Sequence, residues 1–440
     1  MRRVLVGLCM AGLLVSCSEK SETADLHLSN SEFTWDATVR EQVLAVATPT
    51  RWTMKSDVNW CVPWKSTGTS GEQVKLWVSP NITSTARTGT LTVSSGGSVK
   101  FIKLTQPAYT GDVDGYEYVL PVIFHVLYND STDEQQYVRK GWLAELLKKV
   151  NTLYRNNNIG VTFEMATCTQ DGEELEEAGV MRHRITSESF DPYSFVEGKG
   201  EAAELAKYQQ NLRRFINVHV FRFSHNENDD GSWSLGVTNM PRTTTAHPLD
   251  SLYAIPGIEK YTHISTPWGV CINNEAIYSL SDRNVHHTDD VSVTLAHELG
   301  HYLGLLHTFS EVGCSYDDAC SDTPICDYSA YREHVNRMIE DYGEDYKFSL
   351  EQLALRENCL ESGKTYTANN VMDYTYCLSN KLTPQQRMRI RYVLNYVPLV
   401  PGPKLVDYAI GSTTRSVYNQ VPLQLSDCPK VPKTFGNVAY

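Results

Sequence analysis

The chain has 440 residues, more than one hydrophobic core usually holds, so two or three domains are expected. Against 39 Lys and Arg stand 52 Asp and Glu, and the formal net charge of −13 excludes nucleic acid as the main partner. A hydrophobic fraction of 41% and a charged fraction of 21% exclude a disordered or collagen-like chain.

The N-terminus reads as a secretory signal. Arg2 and Arg3 precede an uncharged run over 4–15, which is too short to cross a bilayer but long enough for the apolar part of a signal peptide. The run ends in Leu-Val-Ser-Cys at Cys17, which resembles the lipobox of bacterial lipoproteins. The resemblance implies that residues 1–16 are removed and that Cys17 carries lipid, and a plain signal peptide is the alternative. We expect an exported protein whose only membrane attachment is lipid, on the periplasmic face of the bacterial outer membrane or at the cell surface.

Export places the cysteines in an oxidising compartment, where disulfides are permitted. Of eleven cysteines, one lies in the signal and Cys17 carries lipid, so eleven minus two leaves nine. Five of these crowd into one stretch, where local bridges are expected to staple loops: Cys314, Cys320, Cys326, Cys359 and Cys377. Because nine is odd, at least one thiol stays free.

Residues 25–108 are predicted to form a small all-β domain. Strand-like segments at 74–78 and 90–93 are followed by a Ser-Gly-Gly-Ser turn and a further segment at 99–104. The segment 101–108, together with Trp60, resembles BACON domains, which implies an immunoglobulin-like β-sandwich. Four tryptophans allow either a glycan-stacking platform or ordinary packing in a spacer domain, and the spacer is favoured: Trp52, Trp60, Trp64 and Trp77.

A predicted linker at 109–117 leads into a larger unit over 118–400. A buried strand is expected at 118–126, a helix at 142–154, and further strands at 159–165 and 217–223. The stretch 224–267 reads as loop, and 401–440 as a tail over the surface.

The chemistry of the chain concentrates in segment 297–307. A helix starting near residue 289 places His297 and His301 on one face, about 6 Å apart, a spacing at which both can bind one Zn²⁺. Continued helix would carry His307 away from the metal, so the helix must break first. Gly304 can supply that break with a left-handed conformation, which returns His307 as the third ligand.

Three neutral imidazoles leave one open position on the ion, where a bound water acquires a pKa of about 7. Glu298 points to the adjacent side of the helix, where it can take the proton of the water and pass it to a leaving amine. A structural zinc would usually fill its fourth position with Cys or His, and the motif offers neither.

This register resembles the metzincin metallopeptidases, and within that clan the pappalysin family. The segments that carry the resemblance are 307–309, 313–314, 322–324, 369–374 and 382–388. It spans roughly 117–398 and implies an α+β catalytic domain with a twisted mixed sheet, an active-site helix and a Met-turn. Met372 would be the apolar floor below the metal, and Tyr374 would stabilise the oxyanion of the transition state. Extra sequence at 328–368, before the Met-turn, departs from the family pattern and concerns the rim of the substrate cleft more than the metal.

The resemblance also implies Ca²⁺ at an acidic cluster beside the motif, although a solvated acidic loop is an equal alternative: Asp317, Asp318, Asp322 and Asp327. Cys61 could be a free thiol that blocks the zinc in a latent form of the enzyme, but a packed cysteine is the more expected role. His286 and His287 lack ligand spacing and are expected to be loop residues.

The sequence therefore predicts a zinc metalloendopeptidase lipoprotein that hydrolyses peptide bonds in proteins or peptides. The alternative is a surface adhesin or glycan-binding lipoprotein with an inactive peptidase-like domain. That alternative is disfavoured because Glu298 and all three histidines are in place, and a binding role needs none of them.

Overall fold

The fold is taken from a computed structural model. The structure describes residues 25–224, 232–261, 264–280, 290–311, 313–316, 318–343, 346–374, 376–408, 424–426, 430–432 and 438–439. Several predicted features lie outside the described residues: the signal at 1–16, Cys17, His286, His287 and Asp317.

The N-terminal residues form two sheets around one core. The strands are β1 His27–Leu28, β2 Glu32–Thr34, β3 Glu41–Ala47, β4 Trp52–Ser56, β5 Cys61–Pro63, β6 Thr67–Gly68, β7 Gln73–Val78, β8 Arg87–Ser95 and β9 Ser98–Gln106. One sheet has the order β1-β3-β7-β5 and the other β2-β9-β8-β4-β6. Alternate side chains such as Leu76 of the first sheet and Ile102 of the second are fully buried in a shared cluster, as expected for strands with one face turned to a core.

The tryptophans of this domain do not share an exposed face. Trp52 is 0% and Trp60 is 5% exposed, and both belong to the core. Trp64 and Trp77 are half-buried and both face Arg214 of the following domain, whose guanidinium carbon lies 3.8 Å from the Trp64 ring centroid and 5.6 Å from that of Trp77. Their positions favour packing over a sugar platform.

The second part of the chain mixes helices and strands. The helices are α1 Glu134–Tyr137, α2 Trp142–Asn156, α3 Pro192–Val196, α4 Ala202–Leu205, α5 Val291–Tyr302, α6 Tyr328–Tyr342, α7 Leu350–Leu353 and α8 Pro384–Tyr396. The strands are β10 Tyr118–Tyr128, β11 Val161–Met165, β12 Val180–Arg184, β13 Ile216–Phe221, β14 Ser232–Ser234, β15 Gly236–Asn239, β16 Val270–Asn273, β17 Phe348–Ser349, β18 Leu355–Glu357, β19 Thr365–Thr367, β20 Leu425–Ser426, β21 Lys430–Pro432 and β22 Val438–Ala439.

A mixed seven-stranded sheet organises this part, in the order β11-β10-β13-β16-β15-β20, with β12 also paired to β10. Strand β10 pairs in parallel with β11, β12 and β13, and β13 pairs in parallel with β16. Strand β15 pairs antiparallel with both β16 and β20. Apolar side chains of α2, α5 and α8 pack against the sheet in one large cluster, among them Leu147, Leu295 and Ile390. The chain is therefore an α+β protein with several sheets, and α5 lies buried beneath the antiparallel edge.

Two regions differ from the sequence-based prediction. Strands β14 and β15 lie within the stretch read as loop, and β20 to β22 lie within the predicted tail. Strands of two to four residues are too short to show a hydrophobic period, and their existence depends on the partner strand. Among the described residues, no helix is long and apolar enough to cross a membrane.

Candidate metal centre

Helix α5 carries the first two histidines of the motif. Asp290 precedes it and accepts a hydrogen bond from the Ser292 amide at 2.8 Å, so it acts as the N-cap. All twelve residues of the helix are buried. The carboxylate at the N-cap and the apolar surroundings explain why this segment is helical and why it lies inside the domain.

The helix ends where the sequence requires a break. Its last residue is Tyr302, and Gly304 has a φ of +90°, a left-handed conformation that glycine adopts without steric cost. A Cβ added to Gly304 would lie 2.7 Å from Val393 Cγ2 of α8, so close packing also excludes a side chain here. The Leu305 amide donates to the Gly300 carbonyl at 2.9 Å, which closes the turn that leads back to His307.

The structure brings His297, His301 and His307 together at one point. The Nε2 atom of His301 lies 2.9 Å from that of His297 and 3.0 Å from that of His307, and the remaining Nε2 pair is 3.3 Å apart. Two of the rings are buried and His307 is partly exposed, so the cluster opens towards solvent on the His307 side. Among the described residues, this is the group of three or more His, Cys, Asp or Glu that could hold one metal ion.

Backbone carbonyls orient two of these rings. His297 Nδ1 lies 2.7 Å from the Val371 carbonyl oxygen, and His301 Nδ1 lies 2.8 Å from that of Leu305. A carbonyl oxygen can only accept, so each Nδ1 carries the proton and each Nε2 presents its lone pair to the centre. Burial lowers the pKa of His297 to about 4 and the pKa values of His301 and His307 well below the ordinary range, where the neighbouring imidazoles lower them further.

This arrangement fits a zinc ion. Three neutral imidazoles whose lone pairs converge repel one another unless a cation lies between them. For Zn–N bonds of about 2.0–2.1 Å, a tetrahedral site needs nitrogens about 3.3–3.4 Å apart, close to the separations of 2.9 to 3.3 Å found here. The donor set, three imidazole nitrogens, is one that zinc commonly takes in proteins.

Glu298 is held by strand β15, which pairs antiparallel with β16 and β20. Its side chain is fully buried, and Thr238 Oγ1 donates to its Oε2 at 2.5 Å. A Cβ added to Gly236 would lie 2.7 Å from Glu298 Cγ and 3.0 Å from its Oε1, so the absence of a side chain makes room for the carboxylate. Sequence reasoning missed both residues because it read this stretch as loop. The short Gly-Val-Thr-Asn segment, with two β-branched residues, was the available signal.

Met372 lies directly against α5. It is fully buried, and its amide donates to Asn370 Oδ1 at 2.9 Å while its carbonyl accepts from the Thr308 amide at 3.2 Å. Asn370 in turn exchanges hydrogen bonds with Gln386 of α8, at 2.9 and 3.1 Å. The turn at 369–374 is therefore tied both to α8 and to the residue after His307.

Tyr374 packs beside the histidine cluster. Its ring centroid lies 4.5 Å from that of His307, 6.2 Å from that of His297 and 4.3 Å from that of Phe309, and the residue is 5% exposed. Its backbone carbonyl accepts a hydrogen bond at 3.4 Å from Nη2 of Arg356, a residue that sequence reasoning did not single out. The ring therefore stands at the partly open, His307 side of the cluster.

The predicted acidic cluster is used in loop structure where the structure describes it. Asp318 is 1% exposed and accepts hydrogen bonds from the Cys320 amide at 3.0 Å and the Thr323 hydroxyl at 2.8 Å. Asp322 accepts from the Gln385 amide at 3.0 Å. Asp327 caps α6. Calcium at these residues stays a prediction.

The cysteines form one bridge among the described residues, between Cys314 and Cys359. Six described cysteines are buried thiols: Cys61, Cys168, Cys271, Cys320, Cys326 and Cys377. The expected local disulfide is therefore present, although the other three cysteines of the stretch 314–377 are free thiols. Cys61 lies in the core of the N-terminal sheets, where burial raises the pKa of its thiol to about 12, so it is packed away from the histidines.

Comparison with known proteins identifies two segments. Residues 271–395 match the model of a peptidase family described as pregnancy-associated plasma protein-A, and residues 50–107 match that of the BACON domain, described as an N-terminal binding domain. Both resemblances drawn from the sequence, to pappalysins and to BACON domains, are thereby confirmed. A comparison with curated proteins finds no match.

Several solved structures show local likeness. The Bacteroides ovatus GH5 xyloglucanase in complex with a XXXG heptasaccharide is 18% identical over 47% of this chain and 38% of its own, with a TM-score of 0.19. A protein from Bacteroides thetaiotaomicron, solved by NMR, is 19% identical over 21% of this chain and 88% of its own, with a TM-score of 0.16. This chain thus covers little more than a third of the xyloglucanase.

Proposed function

We propose that this chain, whose residues 271–395 match the pappalysin peptidases and whose residues 50–107 match a BACON domain, is a zinc-dependent metalloendopeptidase that hydrolyses peptide bonds in proteins or peptides. The observation that carries the proposal is the convergence of three imidazole Nε2 atoms within 3.3 Å of one another, inside the matched segment. The catalytic domain would have the metzincin architecture, with the turn at 369–374 as its Met-turn.

His297, His301 and His307 would hold the metal. When bound there, Zn²⁺ supplies a Lewis acid that polarises the scissile carbonyl and makes water more acidic. The protein keeps the three nitrogens unprotonated by burial, and it aims two of them through the Val371 and Leu305 carbonyls.

Glu298 would be the general base. It takes the proton from the attacking water and returns it to the nitrogen of the leaving amine, so that the carboxylate ends unprotonated. The Thr238 hydroxyl occupies Oε2 and limits the rotation of the carboxylate, which favours one oxygen for proton transfer. Its fully buried position strengthens the interaction with any charge that develops nearby.

Tyr374 and Met372 would complete the site. The phenol of Tyr374, packed beside His307, would donate a hydrogen bond to the developing oxyanion. Met372 would form an apolar floor that presses on α5 between the two histidines. A peptide would approach from the His307 side, since this is the partly exposed ligand.

The N-terminal part of the chain bears on the domain structure and the cellular location of the enzyme. We propose that residues 25–108 form an immunoglobulin-like β-sandwich, supported by the two sheets that share one core. We also propose export through the signal at 1–16 and attachment by lipid on Cys17 to the bacterial outer membrane, on its periplasmic face or at the cell surface. The lipobox-like sequence and the match to a BACON domain support this placement.

The test is a cleavage assay on the mature chain with casein and a mixed peptide library. We expect cleavage that a zinc chelator abolishes and added Zn²⁺ restores. Glu298→Gln should lower the rate by about 10²- to 10⁴-fold while zinc content per chain stays unchanged. Glu333→Gln, an exposed glutamate of α6, is the matched control and should cleave normally.

Two outcomes would contradict the proposal. If the cleavage rate were unaffected by the chelator, or if cleavage persisted in Glu298→Gln, the activity would belong to another site or to a contaminant. Absence of any cleavage in the zinc-loaded chain would leave the adhesin or glycan-binding alternative in place.

A further inference from the structure

A buried arginine lies behind the turn that carries Met372 and Tyr374. Arg356 belongs to β18, within the segment 328–368 that departs from the pappalysin pattern. Its side chain is 0% exposed, and its Nη1 lies 2.7 Å from Oδ1 of Asp373, whose side chain is 2% exposed. Two charges buried this deeply each depend on the partner, because either one alone would be uncompensated.

The same guanidinium also reaches the next residue of the chain. Its Nη2 donates to the backbone carbonyl of Tyr374 at 3.4 Å, so one side chain holds the carboxylate of Asp373 and the peptide that follows it. The guanidinium itself is fixed by α6, since its carbon lies 4.2 Å from the Tyr331 ring centroid. Cys326 Sγ adds a contact at 3.6 Å from Nη1.

The side chain of Tyr374 leaves this peptide on the side of the histidines. Its ring packs 4.5 Å from His307 and 4.3 Å from Phe309, centroid to centroid. A shift of its peptide would therefore move the phenol relative to the imidazoles. Displacements of about 1 Å in such a group can cost about 10²-fold in rate.

We propose that Arg356 is a positioning residue for peptide hydrolysis: through Asp373 and the Tyr374 carbonyl it aims the Tyr374 phenol at the reacting carbonyl. It acts through the turn, by its contacts with the Asp373 carboxylate and the Tyr374 carbonyl. The inference rests on the proposed peptidase function and deepens it, because it gives segment 328–368 a role in the reaction.

The test compares variants of the mature, zinc-loaded chain. Arg356→Lys keeps the charge but loses the planar fork that reaches two acceptors. We expect kcat to fall about 10- to 100-fold, with KM and zinc content close to wild type. Arg337→Lys, an exposed arginine of α6, should leave both constants unchanged.

A double-mutant cycle with Tyr374→Phe separates positioning from general stability. If Arg356 acts through the phenol, Arg356→Lys should cost little further kcat once the hydroxyl is gone, so the two losses should not multiply. Losses that multiply would overturn the proposal. The neutral pair Arg356→Met with Asp373→Asn removes both buried charges, and it should regain thermal stability relative to Arg356→Met without regaining kcat. Full recovery of kcat would show that Arg356 is only a structural partner.

A readout independent of turnover distinguishes this inference from the proposed function. The visible spectrum of the Co²⁺-loaded chain reports the surroundings of the three histidines. Arg356→Lys and Tyr374→Phe should change that spectrum in the same direction, whereas Arg337→Lys should not. An inactive wild type would refute the proposed peptidase and with it the role of Arg356 in hydrolysis, whereas an active wild type with unchanged spectra in both variants would refute the positioning role alone.

Discussion

Gly300 and Met372 are in contact so close that no side chain fits between them: a Cβ added to Gly300 would lie 2.5 Å from Met372 Sδ. Gly300 is inside α5, where glycine costs about 1 kcal/mol relative to alanine. Glycine is needed at this position despite the cost, because Met372 occupies the space beside the helix that a side chain would fill. The glycine between the two histidines therefore serves packing, whereas Gly304 serves backbone conformation with its φ of +90°.

This contact leads to a prediction for Gly300→Ala. Alanine favours the helix by about 1 kcal/mol, but forcing a methyl group into a filled site usually costs about 1–3 kcal/mol. We expect net destabilisation in urea unfolding. We also expect about 10-fold weaker zinc binding by chelator competition, because Met372 directly follows Val371, whose carbonyl orients His297.

The double variant Gly300→Ala with Met372→Ala is the control for this clash. Removing the thioether makes room for the methyl group, so the double variant should be more stable than the sum of the two single losses implies. Strictly additive losses would show that Gly300 and Met372 are energetically independent.

Thr238→Val tests the hydrogen bond to Glu298. The substitution preserves the shape of the side chain but leaves the buried Oε2 without this donor, which is 2.5 Å away in the native chain. We expect kcat to fall about 10-fold, by analogy with partners that orient site residues, while KM and zinc content hold. Thr294→Val is the matched control, because within the described part of the chain that buried hydroxyl makes one contact, at 3.5 Å, to the carbonyl of the N-cap Asp290. Equal kcat in both variants would argue against a role for Thr238.

A second histidine cluster predicts acid sensitivity. His125 Nε2 lies 2.9 Å from Asn217 Oδ1, and its Nδ1 lies 3.1 Å from His183 Nε2. Burial lowers the pKa of His125 to about 4 and the pKa of His183 to about 3. Unfolded imidazoles take up protons below about pH 6.5, so between pH 6.5 and 4 the unfolded state binds more protons. The free energy of unfolding should therefore fall as the pH falls, by up to about 1.4 kcal/mol per unit for each histidine.

The measurement is urea unfolding of the zinc-free chain between pH 7.5 and 5. His125→Gln removes one titrating group, so its stability should depend less steeply on pH than that of wild type. His334→Gln, an exposed residue of α6, should keep the native slope. Parallel slopes in wild type and His125→Gln would refute the assignment of the acid sensitivity to this cluster.

The Cys314–Cys359 bridge predicts a redox-dependent stability. It closes a loop with a sequence separation of 45, which ties the segment after His307 to the end of β18. Replacing both cysteines by serine should lower the free energy of unfolding by about 2–4 kcal/mol. A reductant should lower the urea midpoint of wild type to that of the variant and leave the variant unchanged. A midpoint in the variant that also falls on reduction would indicate a second bridge.

Much of the candidate site could be predicted from the spacing of a few residues along the chain. The four-position spacing from His297 to His301, the need for a break before His307 and the ability of Gly304 to provide it are properties of a few neighbouring residues. The helix and strands at 142–154, 159–165 and 217–223 were visible for the same reason, and the structure has α2, β11 and β13 at these places. The loop assigned to 224–267 was wrong over β14 and β15, because such short strands depend on the neighbour that accepts their hydrogen bonds.

The sequence by itself therefore determined the donor atoms, the general base candidate and the point where the active-site helix must stop, since periodicity and spacing act within one or two turns. Only the tertiary structure decided which groups hold those residues in place. Thr238 meets Glu298 across 60 positions, Val371 meets His297 across 74, and Arg356 donates to the Tyr374 carbonyl across 18. Such contacts arise from the packing of sheets and helices, in which residues distant along the chain are brought together by burial.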